Sequence, residues 1–174
     1  MILGEERRER SYQFPPLRSP ESFPEFTTLL RYDCCWPGRE NNPVETDLYR
    51  EVSGRTECYL GMDIGSTSTK AVLLLPDGEV AAAFYTRTAG LPIPACQAIF
   101  RTIRDLEERV GESFEIIGMG TTGSGRKFAG AVFGADLVLD EITAHARAAY
   151  ELDPEVDTIV EIGGQDAKFT TLRE

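Results

Sequence analysis

Apolar positions cluster from residue 59 onward, and their spacing predicts a continuous run of elements. Tyr59 to Leu75 is apolar up to Asp63, breaks into Gly65 and the hydroxyl residues Ser66, Thr67, Ser68 and Thr69, and turns apolar again at Ala71. That pattern is strand, tight turn, strand. Pro76-Asp77-Gly78 makes the next reversal, and Glu79 to Arg87 a third strand, so three antiparallel strands form a meander. Pro94 suits the first position of a helix running to about Val110, because its missing N–H costs nothing there. Ile99, Ile103, Leu106 and Val110 recur at spacings of four, three and four, which places them on one stripe, and Gly111 stops the helix.

The second half repeats this grammar. Phe114 to Gly120 is a short strand, followed by the hydroxyl-and-glycine loop Thr121 to Arg126. Three roles stay open for that loop: touching a nucleotide, touching a partner, or joining a strand to the amphipathic piece Lys127 to Phe133. Leu137 to Leu139 is a strand. Asp140 caps a helix from Glu141 to about Glu151 whose inward positions would be Ile142, Ala146 and Ala149. Thr158 to Ile162 reads as the last buried strand, Gly163 to Asp166 as its turn, and Lys168 to Leu172 as the return.

Residues 1–55 show neither a period of two nor one of 3.6. Arginines (Arg7, Arg8, Arg10, Arg18), the prolines Pro15, Pro16, Pro20 and Pro24, Pro37-Gly38 and Asn41-Asn42-Pro43 predict an extended arm or linker. Phe26, Leu29, Leu30, Tyr32 and Trp36 are too apolar for a fully solvated tail, so part of it is expected to dock. Phe26 to Tyr32 reads equally as short helix or strand.

Charge narrows the partners. The 174 residues carry a net charge of −11, and from Thr56 onward 10 Lys and Arg face 19 Asp and Glu. Nucleic acid and anionic membranes would be repelled. No apolar run reaches the roughly 20 residues a membrane helix needs. Cys34, Cys35, Cys58 and Cys96 show no CxxC spacing and the N-terminus has no apolar signal core, so a reducing, cytoplasmic setting is expected. An acidic chain that binds an anion has to concentrate its cations locally.

Two turns could do so. Gly61-Met62-Asp63-Ile64-Gly65-Ser66 and Ile159-Val160-Glu161-Ile162-Gly163-Gly164 each set a carboxylate, one apolar residue and then glycine at a strand end. Backbone N–H groups and hydroxyls of such turns cradle phosphate, Lys70 adds positive charge, and the carboxylates hold a hydrated cation. Neither turn is a GxxxxGK loop, which excludes P-loop enzymes. His145, the single histidine, reads chiefly as a structural hydrogen-bonding residue, and Cys96 as core packing.

With these motifs the chain resembles the actin, sugar-kinase and heat-shock chaperone ATPase superfamily. It resembles most the activator ATPases of 2-hydroxyacyl-CoA dehydratases and benzoyl-CoA reductases, through Asp63 to Lys70, Gly120 to Arg126 and Glu161 to Lys168. The resemblance covers roughly Cys58 to Glu174. It implies an α/β, actin-like (ribonuclease H-like) lobe with a mixed five-stranded sheet over 56–157, and at 158–174 the opening hairpin of a second, incomplete lobe. It also implies an ATP-driven electron donor: a homodimer sharing one [4Fe-4S] cluster, which passes an electron to a dehydratase or reductase. By the same resemblance Asp63 and Glu161 would hold Mg²⁺, and Asp63, Gly65, Ser66, Thr67, Ser68, Thr69, Lys70, Gly163, Gly164, Gln165 and Asp166 would bind ATP. Glu141 would orient the attacking water. Glu161 departs from the aspartate most relatives carry. The family's cluster cysteines and adenosine motif lie beyond the second hairpin, so the chain is expected to act as a fragment that binds ATP weakly, if at all. The competing class is a non-catalytic, partner-binding piece; a sugar or acetate kinase lobe is disfavoured because no sugar-binding pattern appears.

Overall fold

The computed structural model describes residues 27–163 and 167–172. Nine strands and three helices are found among them: β1 (Leu30–Cys34), β2 (Val44–Leu48), β3 (Arg55–Ile64), β4 (Ser68–Leu74), β5 (Val80–Arg87), α1 (Pro92–Val110), β6 (Ser113–Thr122), α2 (Arg126–Phe133), β7 (Leu137–Val138), α3 (Glu141–Leu152), β8 (Thr158–Ile162) and β9 (Ala167–Thr171). Seven strands form one sheet in the order β1-β2-β5-β4-β3-β6-β7, and β8-β9 form a separate two-stranded sheet. The predicted meander is β3-β4-β5, with antiparallel pairing throughout. β6 then returns parallel to β3, and β7 parallel to β6, so the sheet is mixed.

The five expected strands are present, and β1 and β2 extend the sheet to seven. Residues 30–48 are therefore not part of an extended arm. Tyr32 and Cys34 alternate with the outward Arg31 and Asp33, and Val44, Thr46 and Leu48 are buried, so one face of the pair joins the core. Five-residue strands give too few alternations to stand out beside the intervening prolines and asparagines. Residues 1–26 lie outside the described residues.

The two sheet faces differ. On one, Leu60, Met62, Ile64, Ala71, Leu73, Ala82 and Phe84 are buried. α1 covers this face over β2, β4 and β5, and α2 over β3, β6 and β7; the helices meet where Phe100 and Phe133 stack 5.1 Å apart. The α1 stripe is Cys96, Ile99, Ile103 and Leu106, capped by Gly111 in the left-handed conformation. The helix starts at Pro92, two residues before the predicted start, since Pro92 and Pro94 both occupy positions where no amide is needed. α1 also ties down β1 and its loop: Trp36 donates to Thr102 (2.8 Å), Cys34 to Asp105 (3.1 Å), and Arg109 stacks over the Tyr32 ring (4.3 Å). The opposite face carries Tyr59, Gly61, Asp63, Lys70 and Val72 and is far more open.

Two expectations of burial fail. Ile142 on α3 is half exposed and no α3 residue is buried; the helix holds the hairpin through the side-chain ion pairs of Glu141 and His145. β8 is not a buried strand either: Val160, Ile162 and Phe169 are 65%, 84% and 71% exposed, since among the described residues β8 and β9 pair only with each other.

A two-stranded ribbon with an uncovered apolar face has little stability of its own. Amide exchange should therefore be faster across Thr158–Ile162 and Ala167–Thr171 than at the β3–β4 pairs from Tyr59 to Leu74. Exchange mass spectrometry of the chain checks this; equal protection of the two regions would contradict the independence of the ribbon.

Candidate phosphate-binding cleft

Asp63 stands one residue before the end of β3, the strand paired parallel on one side and antiparallel on the other. In register it lies opposite Lys70 of β4 and opposite Thr122 of β6, so a cation, a carboxylate and a hydroxyl form a row across three strands. Lys70 Nζ donates to Asp63 Oδ2 at 3.1 Å. Asp63 Oδ1 and Thr122 Oγ1 are both buried and without a hydrogen-bond partner among the described residues. Together with Gly61, Val72, Leu137, Leu139, Ala144 and His145 these residues line a cleft of about 320 Å³.

The loop expected to begin at Thr121 begins later, because β6 runs to Thr122. The residues after Thr122 brace the end of β3. Gly125 N–H donates to Ile64 O at 2.8 Å. Gly123 has φ +86°, and a Cβ there would lie 2.5 Å from Asp63 Oδ1 and 2.7 Å from Ile64 O. Only glycine permits both that backbone angle and that approach. Of the three roles left open, the described contacts support the structural one.

In the β3–β4 turn, Ser66 and Thr67 are exposed at the tip and Ser68 is half-buried. The Gly65 amide is already spent on Ser68 O (3.0 Å). Thr69 is fully buried with its hydroxyl 2.9 Å from that of Thr88, so its side chain faces the core and not a ligand. Alternation along β4 explains it: Lys70 points to the open face, so Thr69 points inward.

On α3, Asp140 caps the helix as predicted. Its carboxylate accepts from the Thr143 amide (2.9 Å) and hydroxyl (2.6 Å), bonds that hold it below the usual carboxylate range. Glu141 and His145, one turn apart, face the second hairpin. His145 Nδ1 lies 2.8 Å from Glu161 Oε2, and Lys168 Nζ lies 2.9 Å from Glu141 Oε2 and 3.6 Å from Glu161 Oε1. The His145 hydrogen bond chiefly, outweighing desolvation, holds the Glu161 carboxyl below its ordinary value. The three potential ligand atoms of Glu141, His145 and Glu161 lie within 4.8 Å of one another, but the Lys168 ammonium already serves both carboxylates. Gly163 is exposed after β8; Gly164, Gln165 and Asp166 lie outside the described residues.

Sequence reasoning misses Thr122 because it ends the strand too early; its reading of His145 as a hydrogen-bonding residue agrees with the bond to Glu161, and what it does not foresee is that His145 also lines the cleft. An i, i+4 Glu141-His145 pair directly after a capping aspartate is the signal available for the latter.

The fold is an α/β lobe of the actin-like class. The family model of the BadF/BadG/BcrA/BcrD ATPase family matches residues 60–174, and the chain belongs to that family. It is 36% identical over 114 residues to a 2-hydroxyisocaproyl-CoA dehydratase activator from Clostridioides difficile, covering 65% of this chain and 40% of that one. It is 34% identical over 114 residues to the (R)-2-hydroxyglutaryl-CoA dehydratase activating ATPase of Acidaminococcus fermentans, covering 63% and 40%. An uncharacterised protein of Methanocaldococcus jannaschii is 37% identical over 117 residues, covering 65% of this chain and 27% of its own length. Among solved structures, component A of the A. fermentans dehydratase superposes with TM-score 0.54 at 27% identity, covering 68% and 44%. The Clostridium difficile activator with bound ADPNP gives TM-score 0.53 at 31% identity, covering 67% and 41%. The chain thus spans less than half the length of each of these proteins. No helix among the described residues is long and apolar enough to cross a membrane.

This geometry makes two outcomes testable. Gly123→Ala should lower stability by about 1–3 kcal/mol, from the strained angle and the clash with Asp63; urea unfolding measures it, and an unchanged midpoint would contradict the close approach. Glu161 has a lowered pKa in the folded state, so its contribution is fully present above the ordinary glutamate value and is lost as pH falls through the lowered one. Following the β8–β9 amide signals in acid should show the ribbon releasing from α3 in that window, and Glu161→Gln should remove the transition.

Proposed function

We propose that this chain forms the phosphate-gripping lobe of an ATPase whose hydrolysis cycle activates a 2-hydroxyacyl-CoA dehydratase or acyl-CoA reductase by electron transfer. The observation that carries the reading is the Lys70–Asp63–Thr122 row, whose residues line one cleft and in which a buried carboxylate oxygen and a buried hydroxyl both lack a partner among the described residues. Such groups are costly to bury unless something fills their hydrogen-bonding capacity. The relatives named as dehydratase activators support the identity of the partner class.

The residues fit a magnesium ion at Asp63, whose orphan Oδ1 is an anionic acceptor of the kind that holds a hydrated cation. Glu161 would be the second holder once its bonds to His145 and Lys168 are exchanged. Bound there, the ion would neutralise charge on the β- and γ-phosphates. The exposed Ser66 and Thr67 at the turn tip and the Lys70 ammonium orient the polyphosphate. Glu141, standing in the first turn of α3, accepts a hydrogen bond from the attacking water after Lys168 turns to phosphate. Gly163, Gly164, Gln165 and Asp166 would close the opposite side.

The described cysteines do not fit an iron–sulfur cluster. Cys34, Cys58 and Cys96 are buried thiols, each pushed up to about 11 by burial, and no group of three gathers at one point.

Because the residues address phosphate and not adenosine, Mg-ATP and Mg-tripolyphosphate should bind alike and weakly, while adenosine should not bind. Chemical-shift titration of the Gly65–Lys70 amides reads this, and Asp63→Asn should abolish the response. Mg-ATP shifts identical in wild type and Asp63→Asn would sink the reading. They would favour the second one, a partner-binding piece, which the uncovered Val160, Ile162 and Phe169 recommend.

A further inference from the structure

Arg39 lies in the loop between β1 and β2, ahead of the stretch matched by the family, and is only 7% exposed. No carboxylate pairs with it among the described residues, and its Nε and Nη1 make no hydrogen bond there. A guanidinium buried without a counter-charge is unfavourable on its own account. Its one working nitrogen, Nη2, donates to the Arg87 carbonyl and to Thr86 Oγ1 (3.2 Å).

The Arg87 carbonyl and the Thr88 N–H belong to the same peptide group. That N–H donates to Thr67 O at 2.9 Å, and the Thr88 hydroxyl donates to Gly65 O at 2.8 Å. Thr88 therefore grips both sides of the β3–β4 turn from behind, and Thr69, hydrogen-bonded to Thr88 at 2.9 Å, completes the brace. Donation by a cation to the carbonyl end of a peptide polarises its N–H end, so the Arg39 charge strengthens the bond to Thr67.

We infer that Arg39 is a positioning residue for the phosphate-binding turn, acting through the Arg87–Thr88 peptide and the Thr88 hydroxyl to hold Gly65 and Thr67 in place. As far as it concerns ATP, the inference rests on the function proposed above; as far as it concerns the turn, it does not. The β1–β2 unit is thereby part of the site's machinery and more than an edge to the sheet. Its buried cation also adds positive charge behind a turn that receives an anion.

The test is residue-resolved amide exchange on the full chain with Arg39→Met, Arg39→Lys and Thr88→Val. Methionine keeps most of the buried volume and removes the donors, so a packing role alone predicts wild-type exchange. Arg39→Met should speed exchange at Gly65 and Thr88 by about tenfold, the factor for losing one charge-assisted hydrogen bond, while Tyr59 and Leu60 in β3 stay protected. Arg39→Lys, which retains a cationic donor, should recover most of that loss. Thr88→Val should match Arg39→Met at Gly65, and the double variant should add little. Unchanged Gly65 and Thr88 exchange in Arg39→Met, with the sheet intact, overturns the inference. If Arg39→Met does not fold, Arg39→Lys and Thr88→Val decide it: wild-type Gly65 exchange in Thr88→Val overturns it equally. Mg-tripolyphosphate affinity should fall about tenfold in Arg39→Met. Loss of all Asp63-dependent binding in the wild type would remove the functional reading and leave the exchange result to judge Arg39.

Discussion

The structure turns on one part-buried carboxylate near the end of a strand that is paired on both sides. Asp63 is held by β4 on one side and β6 on the other, and its Oδ1 is enclosed without a partner among the described residues. Lys70 answers half of the charge at 3.1 Å. Everything near that oxygen is constrained by it. Residue 123 must be glycine to pass beside it, β6 must reach Thr122 to flank it, and the turn must keep Gly65 folded back on Ser68 so that the chain leaves the strand sharply. An unfilled acceptor in such a place reduces stability, and the fold tolerates it because the covered face of the sheet supplies a large apolar core.

That core is one-sided, which is why the site exists. α1 and α2 both lie on the face of Leu60, Met62 and Ile64, leaving the Gly61 and Asp63 face as the floor of a cleft. Gly61 and Gly120, which carry no side chain, keep this floor low beside the Asp63–Thr122 row. The connection of β6 to its parallel neighbour β7 through α2 suits the same arrangement, since a crossover helix between parallel strands packs on one face of the sheet. α3 then enters from the β7 edge and presents His145 to the cleft.

Much of this is written locally in the chain and is legible there. The β3–β4 hairpin, the α1 stripe, the Asp140 cap and the twin turns at Asp63 and Glu161 all depend on neighbours within about one turn or strand. The features that escape a sequence reading depend on register between distant segments. Nothing in Thr122 itself says that it will stand opposite Asp63, and Thr69 looks like a ligand group until β4 is fixed against β5 and its side chain faces Thr88. β1 and β2 are hidden because their burial comes from α1, far along the chain, and not from any long alternation of their own. The inward face assigned to α3 fails for the converse reason. A helix can be amphipathic by pattern while its apolar side, here Ile142, stays half exposed.

The acidic balance of the chain has a local arrangement. Past Thr56 negative charges outnumber positive ones nearly two to one, yet the cations that matter are not spread over the surface. Lys70 sits on Asp63, Lys168 is shared by Glu141 and Glu161, and Arg39 is buried behind the turn with no described acid of its own. Under the proposed function, a polyphosphate in the cleft would compete with Asp63 for Lys70 and, at the second hairpin, with Glu141 and Glu161 for Lys168, and each ammonium it took would free a carboxylate. On the same proposal, freed Asp63 and Glu161 would then be repelled by the phosphates unless a divalent cation joined them, and freed Glu141 would have a carboxylate oxygen open to a water. Release of Lys168 also loosens the ion pairs that fix the β8–β9 ribbon to α3. Under the proposed function, nucleotide occupancy and the position of the second hairpin are thus coupled through one lysine, by exchange of partners and without any change in backbone fold.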